Sequence, residues 1–267
     1  MSPDYVTLGY GELGLAAALV LVNGALSFAL RLDLEQRLLW ASTRMTVQLL
    51  LIGFVLKWVF ASGRSWVVLA VLVPMTLIAG VSAVRRAERT FPGMILDSIL
   101  SVGVSAWVIS GFALIVILRS DPWYAPQHAI PLTGLVLGNS LTGISLALDR
   151  FTAELVARRA EVEMLLTLGA TRWEAARGPL RQALRAGLLP MLNTMLVAGI
   201  VSLPGMMTGQ LLAGAPPAQA ARYQIVVMFL LAASTALGTM GVVLLSYRRL
   251  FNDRHQFRHD LISLRRR

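Results

Sequence analysis

The chain has 267 residues, of which 56% are hydrophobic and only 14% charged. Soluble domains carry about 25% charged residues, so this composition excludes an ordinary soluble protein and indicates a membrane protein. The net charge of +10 does not indicate a nucleic-acid partner, because the basic residues lie between apolar stretches, and the lack of cysteine excludes disulfides and thiolate metal sites.

The first apolar stretch follows a segment that contains Asp4 and Glu12 and no basic residue. A signal peptide needs a positive start, so we expect a retained membrane helix. Seven stretches are long enough to cross about 30 Å of hydrocarbon and predict an all-α polytopic bundle. They are Leu8 to Leu30, Met45 to Phe60, Trp66 to Val84, Ile95 to Leu118, Ala129 to Leu148, Leu188 to Leu212 and Tyr223 to Tyr247.

Most of the 24 basic residues lie in alternate connections and in the tail 248–267. Basic residues concentrate on the cytoplasmic side of membrane proteins. The distribution predicts an N-terminus outside, a cytoplasmic C-terminus and a multi-pass protein of the plasma membrane, which in bacteria is the inner membrane. One membrane domain is expected to cover residues 1–267.

Residues 150–187 form the only sizeable polar region between spans and favour helix. We expect extensions of the flanking spans with a short helix between them, whose N-cap is Thr171 and whose sharp entry uses Gly169. Apolar anchors are expected at Leu165, Leu166, Leu168, Trp173 and Leu180. The region either docks a partner protein in a groove or lies as an amphipathic helix on the membrane surface.

Signatures of catalysis and nucleotide binding are absent from the sequence. There is no HExxH or GxSxG pattern, and Lys57 is the only lysine and lies inside an apolar stretch. A P-loop needs a lysine at the phosphates, so ATP-driven movement requires a nucleotide site on another polypeptide. His255 and His259 are one helical turn apart, but the Arg-rich tail around them indicates a solvated or headgroup-facing segment. We expect no enzyme activity, no bound cofactor and no metal site.

The stretch AEVEMLLTLGATRWEAARG (160–178) is similar to the coupling loop of ABC-transporter membrane subunits, with Glu163 six residues before Gly169. Together with PLTGLVLGNSLTGISLAL (131–148), VSLPGMMTGQ (201–210) and YRRLFNDRHQ (247–256), it resembles the FetB (YbbM) family of ABC permeases, which is related to plant aluminium-tolerance proteins. The resemblance implies a separate FetA-like ATPase and association with iron export. Plant relatives are linked to a nucleotide sugar, so the family does not fix the substrate.

The resemblance implies that the 150–187 region contacts the ATPase. The residues assigned to this coupling are Glu163, Leu165, Gly169, Thr171, Arg172, Trp173 and Arg177. The apolar side chains would anchor the contact, and Arg172 and Arg177 would set its orientation at the rim.

The stretch 201–217 combines an apolar composition with two proline breaks. A break is tolerated in hydrocarbon only where protein or a water-filled cavity surrounds it, so Pro204 and Gly205 are assigned to gating. Residues 188–213 predict either one kinked span or two short helices, 188–203 and 205–213. Met206 and Met207 either bind a soft metal or, as we favour, pack at a flexible constriction.

Polar side chains at membrane depth are our candidates for lining a pathway, because such groups face a bundle interior or a cavity. They are Gln48, Asn139, Asn193 and Gln210, for which hydrogen bonding between helices is the alternative. Small residues at 134, 138 and 142 predict a close crossing, either within the chain or between subunits. Asp97 is expected either to stabilise the N-terminus of its helix or to pair with Arg85 or Arg86.

These features favour an ABC-transporter permease that exports iron or a related metal as a homodimer in the membrane, with no nucleic-acid partner. The alternatives are ABC export of an organic cargo and a self-contained channel or secondary transporter. The scarcity of ionisable residues at membrane depth disfavours coupling to protons.

Overall fold

Long uncharged runs form helices in this chain because a helix pairs its own backbone N–H and C=O groups, for which hydrocarbon offers no other partner. The computed structural model describes residues 9–265; Leu8, where the first span was expected to begin, and Arg266 and Arg267 lie outside them. The helices are α1 (Tyr10–Ala29), α2 (Glu35–Ser62), α3 (Ser65–Arg86), α4 (Met94–Phe112), α5 (Pro126–Ala157), α6 (Arg159–Thr167), α7 (Arg172–Val197), α8 (Gly205–Leu212) and α9 (Pro217–Leu250).

Short elements complete the described chain. A π-helical turn (Ala113–Ile117) extends α4, and a 3-10 turn (His259–Leu261) lies in the tail. Strands β1 (Arg89–Thr90) and β2 (Ser263–Leu264) pair antiparallel. Within residues 9–265, six helices are long and apolar enough to cross a membrane: α1, α2, α3, α4 with its π turn, α5 and α9. The prediction of an all-helical, multi-pass architecture is therefore confirmed.

The stretch 188–212 is a broken helix pair and not one kinked span. Helix α7 begins at Arg172, ends at Val197 and continues through Pro179 and Pro190. The chain then turns at Gly199, whose φ of +86° favours glycine, and α8 starts after Pro204. The break thus begins six residues before Pro204, because the left-handed turn at Gly199 ends α7 first.

The core is formed by α3, α4, α5, α7 and α9. Its fully buried side chains include Ile144, Leu148 and Phe151 of α5 and Leu250 of α9. Helices α1 and α2 form a hairpin that contacts this core through few residues, among them the buried Val59. Most side chains of the hairpin are exposed. Its apolar surface therefore suits lipid or another membrane protein.

Helices α5 and α7 cross closely at two glycines. A Cβ on Gly143 would lie 2.8 Å from the carbonyl oxygen of Gly187, and a Cβ on Gly187 would lie 2.7 Å from that of Gly143. Thr239 of α9 packs against the same point. The predicted small-residue stripe is displaced from this crossing, because a Cβ on Gly138 would meet no atom within 4 Å. The close crossing of α5 and α7 uses Gly143, one position beyond the stripe.

The tail folds back onto the bundle through two aromatic side chains, while most of its polar side chains, including that of His255, are exposed. Phe251 is fully buried and stacks on Phe257 with ring centroids 5.1 Å apart. The backbone N–H of Arg265 donates to the carbonyl of Glu88 at 2.9 Å, next to the β1–β2 pair. The two phenylalanines supply the apolar surface that holds the tail. The arginine content of the tail alone did not predict this contact.

Asp97 lies in the first turn of a helix, as one of its two expected roles required, but its expected pairing with Arg85 or Arg86 was wrong. Asp97 is almost fully buried in the first turn of α4 and accepts a hydrogen bond from Nε of Arg249 at the end of α9. Arg85 and Arg86 lie on α3 and make no ion pair among the residues that the structure describes. The choice of partner follows from the packing of α9 against α4.

Candidate functional site

The residues expected to couple to a partner lie on α6 and the first turns of α7. Gly169 connects them with a φ of +90°, as its assignment to a sharp turn required. Thr171 is the N-cap of α7: its hydroxyl accepts from the backbone N–H of Glu174 at 3.3 Å, and the Glu174 carboxylate accepts from the backbone N–H of Thr171 at 2.8 Å. The hydroxyl and backbone N–H of Thr171 lower the pKa of Glu174. The helix that follows is α7 and not a short helix; the short helix is α6.

Three large apolar side chains of this region are exposed. The relative exposure is 54% for Met164, 77% for Leu168 and 50% for Trp173. We call these three residues the docking surface. Leu165 instead packs partly against the bundle core. Leu180, which was expected to be an anchor, is buried, because α7 turns that side towards the core.

Charged groups surround the docking surface. Arg159 donates to the Glu163 carboxylate at 2.8 Å, and Nδ1 of His259 lies 3.7 Å from the same carboxylate. Arg177 is exposed and has no ion-pair partner in the described part of the chain. The rim thus presents both charge signs around apolar anchors.

The tail binds directly to the start of α7. Nη1 of Arg172 donates to Asp253 at 2.7 Å, and the backbone N–H of Arg172 donates to Nδ1 of His255 at 3.0 Å. Trp173 packs edge-on against Tyr247 of α9 with ring centroids 5.7 Å apart. These contacts join the start of α7 to α9 and to the tail.

A second polar region lies where α5, α7 and α9 meet. It contains a cavity of about 180 Å³, which we call the polar cavity. Its lining residues are Asn139, Thr142, Gly143, Gly187, Pro190, Met191, Thr194 and Thr235. Of the four polar pathway candidates, only Asn139 is among them.

The other pathway candidates are spread over several helices. Gln48 is exposed on α2, Asn193 is exposed on α7 beside Thr194, and Gln210 is half-buried on α8. The gating candidates lie at the start of α8, where Pro204 is the N-cap and Gly205 the first helical residue. Met206 and Met207 are half-buried, and Met206 packs against the core.

Hydroxyl groups of α9 were missed from the sequence. Ser234 shares a hydrogen bond of 2.7 Å with Ser140 of α5, and the hydroxyls of Thr235 and Thr239 are buried without a partner among the described residues. Thr235 also lines the polar cavity. The sequence did contain a sign of these groups, the SxxxxT spacing of Ser234 and Thr239 inside a long apolar helix. Periodicity alone does not show whether such hydroxyls face a cavity.

A multi-helix membrane bundle with an exposed apolar surface and a polar cavity between its helices fits the class of membrane transport proteins. The chain belongs to the family described as Uncharacterised protein family (UPF0014), whose model matches residues 10–251. It is a multi-pass membrane protein, and the bacterial relatives fit a location in the inner membrane.

The chain is similar to several proteins of this family. It is 40% identical to a UPF0014 membrane protein of Synechocystis, over 95% of this chain and 96% of the relative. It is 31% identical to the "Probable iron export permease protein FetB" of Escherichia coli, over 92% and 93%. It is 32% identical to the "Protein ALUMINUM SENSITIVE 3" of Arabidopsis thaliana, over 93% and 90%. No solved structure matches the chain. The resemblance inferred from motifs is confirmed, and the named permease relative is a transport protein and not an enzyme.

Proposed function

We propose that the chain is the membrane-spanning permease subunit of an ABC transporter that exports iron or a related metal ion. A separate FetA-like ATPase would bind the docking surface and hydrolyse ATP. The exposed cluster of Met164, Leu168 and Trp173 carries this proposal, because apolar anchors with a charged rim suit a groove on a partner protein. The iron cargo rests on the printed name of the Escherichia coli relative.

The contacts around Trp173 support a mechanical connection from the ATPase to the bundle. Trp173 packs on Tyr247 of α9, and α9 packs on α4 and α5. Movement of the bound ATPase would tilt α7 and α9 together. Since α7 meets α5 at Gly143 and Gly187, this tilt would act on the walls of the polar cavity.

We propose that two copies assemble in the membrane and enclose the pathway. The carboxamide of Asn193 is exposed on α7 and makes no hydrogen bond among the described residues, whereas the hydroxyl of the neighbouring Thr194 donates to the carbonyl of Pro190. If α7 lies in the membrane, a second copy or the aqueous pathway between copies would give Asn193 a partner that lipid does not offer. The single membrane domain would then cover residues 1–267, with α7 and α8 making the seventh crossing, the N-terminus outside and the tail in the cytoplasm.

Co-purification with an ATPase encoded beside the gene tests the docking proposal. We expect Leu168→Glu to abolish recovery of the ATPase, because a carboxylate cannot enter an apolar groove without losing hydration. Leu264→Glu is the matched control, since Leu264 is similarly exposed, at 71% against 77% for Leu168, but lies on β2.

The proposal fails if both variants retain the ATPase as well as the wild type does. Metal efflux from cells, with and without the protein, tests the cargo. Uphill transport by the chain reconstituted alone would instead support a secondary transporter and contradict the need for an ATPase.

A further inference from the structure

An open groove of about 720 Å³ runs between α4 and α9, and we call it the α4–α9 groove. Its walls are rows of exposed apolar side chains: Leu100, Val104 and Val108 on α4, and Leu237 and Leu244 on α9. The three residues of α4 are spaced by four positions, so they lie along one face of that helix. Val104 and Val108 are 63% and 57% exposed, so the described part of the chain leaves this apolar face uncovered.

Small residues form the floor of the groove. A Cβ on Gly241 of α9 would lie 3.3 Å from Oγ of Ser101 of α4, so the two helices meet there with little side chain between them. The hydroxyl of Ser101 donates to the carbonyl of Asp97 at 2.7 Å, and that of Ser105 donates to the carbonyl of Val102 at 3.1 Å. Because both hydroxyl hydrogens are used within α4, an apolar chain can cover the floor without leaving these donors unpaired.

Two arginines lie at one end of the groove, the end that carries the tail. Arg248 is exposed and makes no ion pair among residues 9–265. Nη1 of Arg172 donates to Asp253, which uses only part of the five-donor capacity of that guanidinium. Asp253 partly offsets the charge of Arg172, but no carboxylate is among the described residues that line the groove. This end of the groove is therefore positively charged.

The length of the groove corresponds to one leaflet of a bilayer. Leu237 and Arg248 are 11 positions apart on α9, which is about 16 Å of helix and about half of a hydrocarbon core of about 30 Å. Trp173 and Tyr247 line the basic end, and such aromatic side chains are enriched at membrane–water interfaces. A partner helix that crossed the membrane would extend over both leaflets, which is about twice the length of the groove.

We propose that the α4–α9 groove binds an anionic phospholipid, with an acyl chain between the apolar walls and the phosphate at Arg248 and Arg172. Guanidinium groups form strong charge-assisted hydrogen bonds with phosphate oxygens, and basic pockets between membrane helices bind anionic head groups. Trp173 belongs both to the docking surface and to the groove, so the lipid lies beside the surface proposed to bind the ATPase. The inference itself does not depend on the ABC assignment, because lipid binding needs no ATPase.

The test uses phosphatidylglycerol as the probe and native mass spectrometry of the purified full-length chain in detergent. We expect saturable binding to the wild type and affinity about tenfold weaker for Arg248→Gln, because a hydrogen bond between two charged groups is lost. Arg86→Gln is the matched control, since Arg86 is exposed at the end of α3 but does not line the groove. It should bind phosphatidylglycerol as the wild type does. Phosphatidylcholine, whose head group carries its own cation, should bind about tenfold more weakly than phosphatidylglycerol.

A second variant tests the apolar part of the groove. The side chain of Gly241→Leu would occupy the space above Ser101, so this variant should lose phosphatidylglycerol binding. Gly53→Leu is its control, because a Cβ on Gly53 of α2 would meet no atom within 4 Å, and it should retain binding. Arg248 is exposed, so Arg248→Gln provides the decisive comparison if Gly241→Leu fails to fold.

Three results would overturn the inference. Equal affinity of the wild type and Arg248→Gln, or of the two lipids, would show that the arginine does not select a head group. Displacement of phosphatidylglycerol by an equal concentration of inorganic phosphate would indicate an ion site without a role for the acyl chain. The chain has no cysteine, so Val104→Cys introduces a single thiol, and a disulfide between two copies at this position in membranes would show that a second copy covers the groove.

Discussion

The close crossing of α5 and α7 predicts opposite effects for two glycine-to-alanine changes. In Gly187→Ala, the new Cβ would lie 2.6 Å from Cγ2 of Thr239 and 2.7 Å from the carbonyl oxygen of Gly143. One of these atoms belongs to backbone and cannot move away by a change of rotamer. In Gly138→Ala, the new Cβ would meet no atom within 4 Å. Only the first change therefore forces two helices apart.

The expected magnitudes follow from helix propensity and overpacking. Alanine is favoured over glycine inside a helix by about 1 kcal/mol, so Gly138→Ala should be neutral or stabilising. Overpacking costs about 1–3 kcal/mol, and the backbone contact places Gly187→Ala at the upper end of that range. Both variants gain this propensity equally, so Gly187→Ala should be less stable than Gly138→Ala by the overpacking cost alone, about 2–3 kcal/mol.

Thermal unfolding monitored by tryptophan fluorescence measures this difference in detergent or nanodiscs. At about 2–4 °C per kcal/mol, the two variants should differ in Tm by about 5–10 °C. The same Gly187→Ala protein should also lose transport, because α7 forms a wall of the polar cavity. Equal Tm values for the two variants would refute the crossing as described.

Three further predictions concern the end of the bundle that carries the tail. Arg249→Gln should destabilise the protein by about 2–3 kcal/mol, because it leaves the buried Asp97 carboxylate unpaired. Asp97→Asn should cost less stability, because it leaves only the partly exposed guanidinium of Arg249 unpaired. Chemical denaturation measures both free energies of unfolding, and equal losses would contradict this reasoning. Charge reversal of Arg172 and Arg177 together should uncouple ATP hydrolysis from transport without affecting membrane insertion. Transport and ATPase assays on the reconstituted complex measure this effect, and undiminished transport would contradict the coupling role of the two arginines. Phe257→Ala should release the tail, because it removes the stacked contact with the buried aromatic cluster; trypsin should then cleave the tail faster, and an unchanged rate would show that other contacts hold it.

Features that depend on neighbours along the chain could be predicted from the sequence. The Thr171 cap and the Gly169 turn follow from hydrogen bonds and backbone angles within a few residues. The apolar helices follow from composition, since any long uncharged run satisfies its own backbone as a helix. The family resemblance also came from short local motifs, and the comparison over the whole chain confirmed it.

Features that depend on how the helices are rotated and crossed were decided only by tertiary structure. Asp97 pairs with Arg249, which is 152 positions away, and not with the arginines nearer in sequence. The polar cavity brings Asn139 together with Thr235 of α9, while Asn193 of α7 faces outward. Hydropathy indicates that a residue lies in a membrane helix. The close packing of small residues such as Gly143 decides which face of that helix contacts the neighbouring helices.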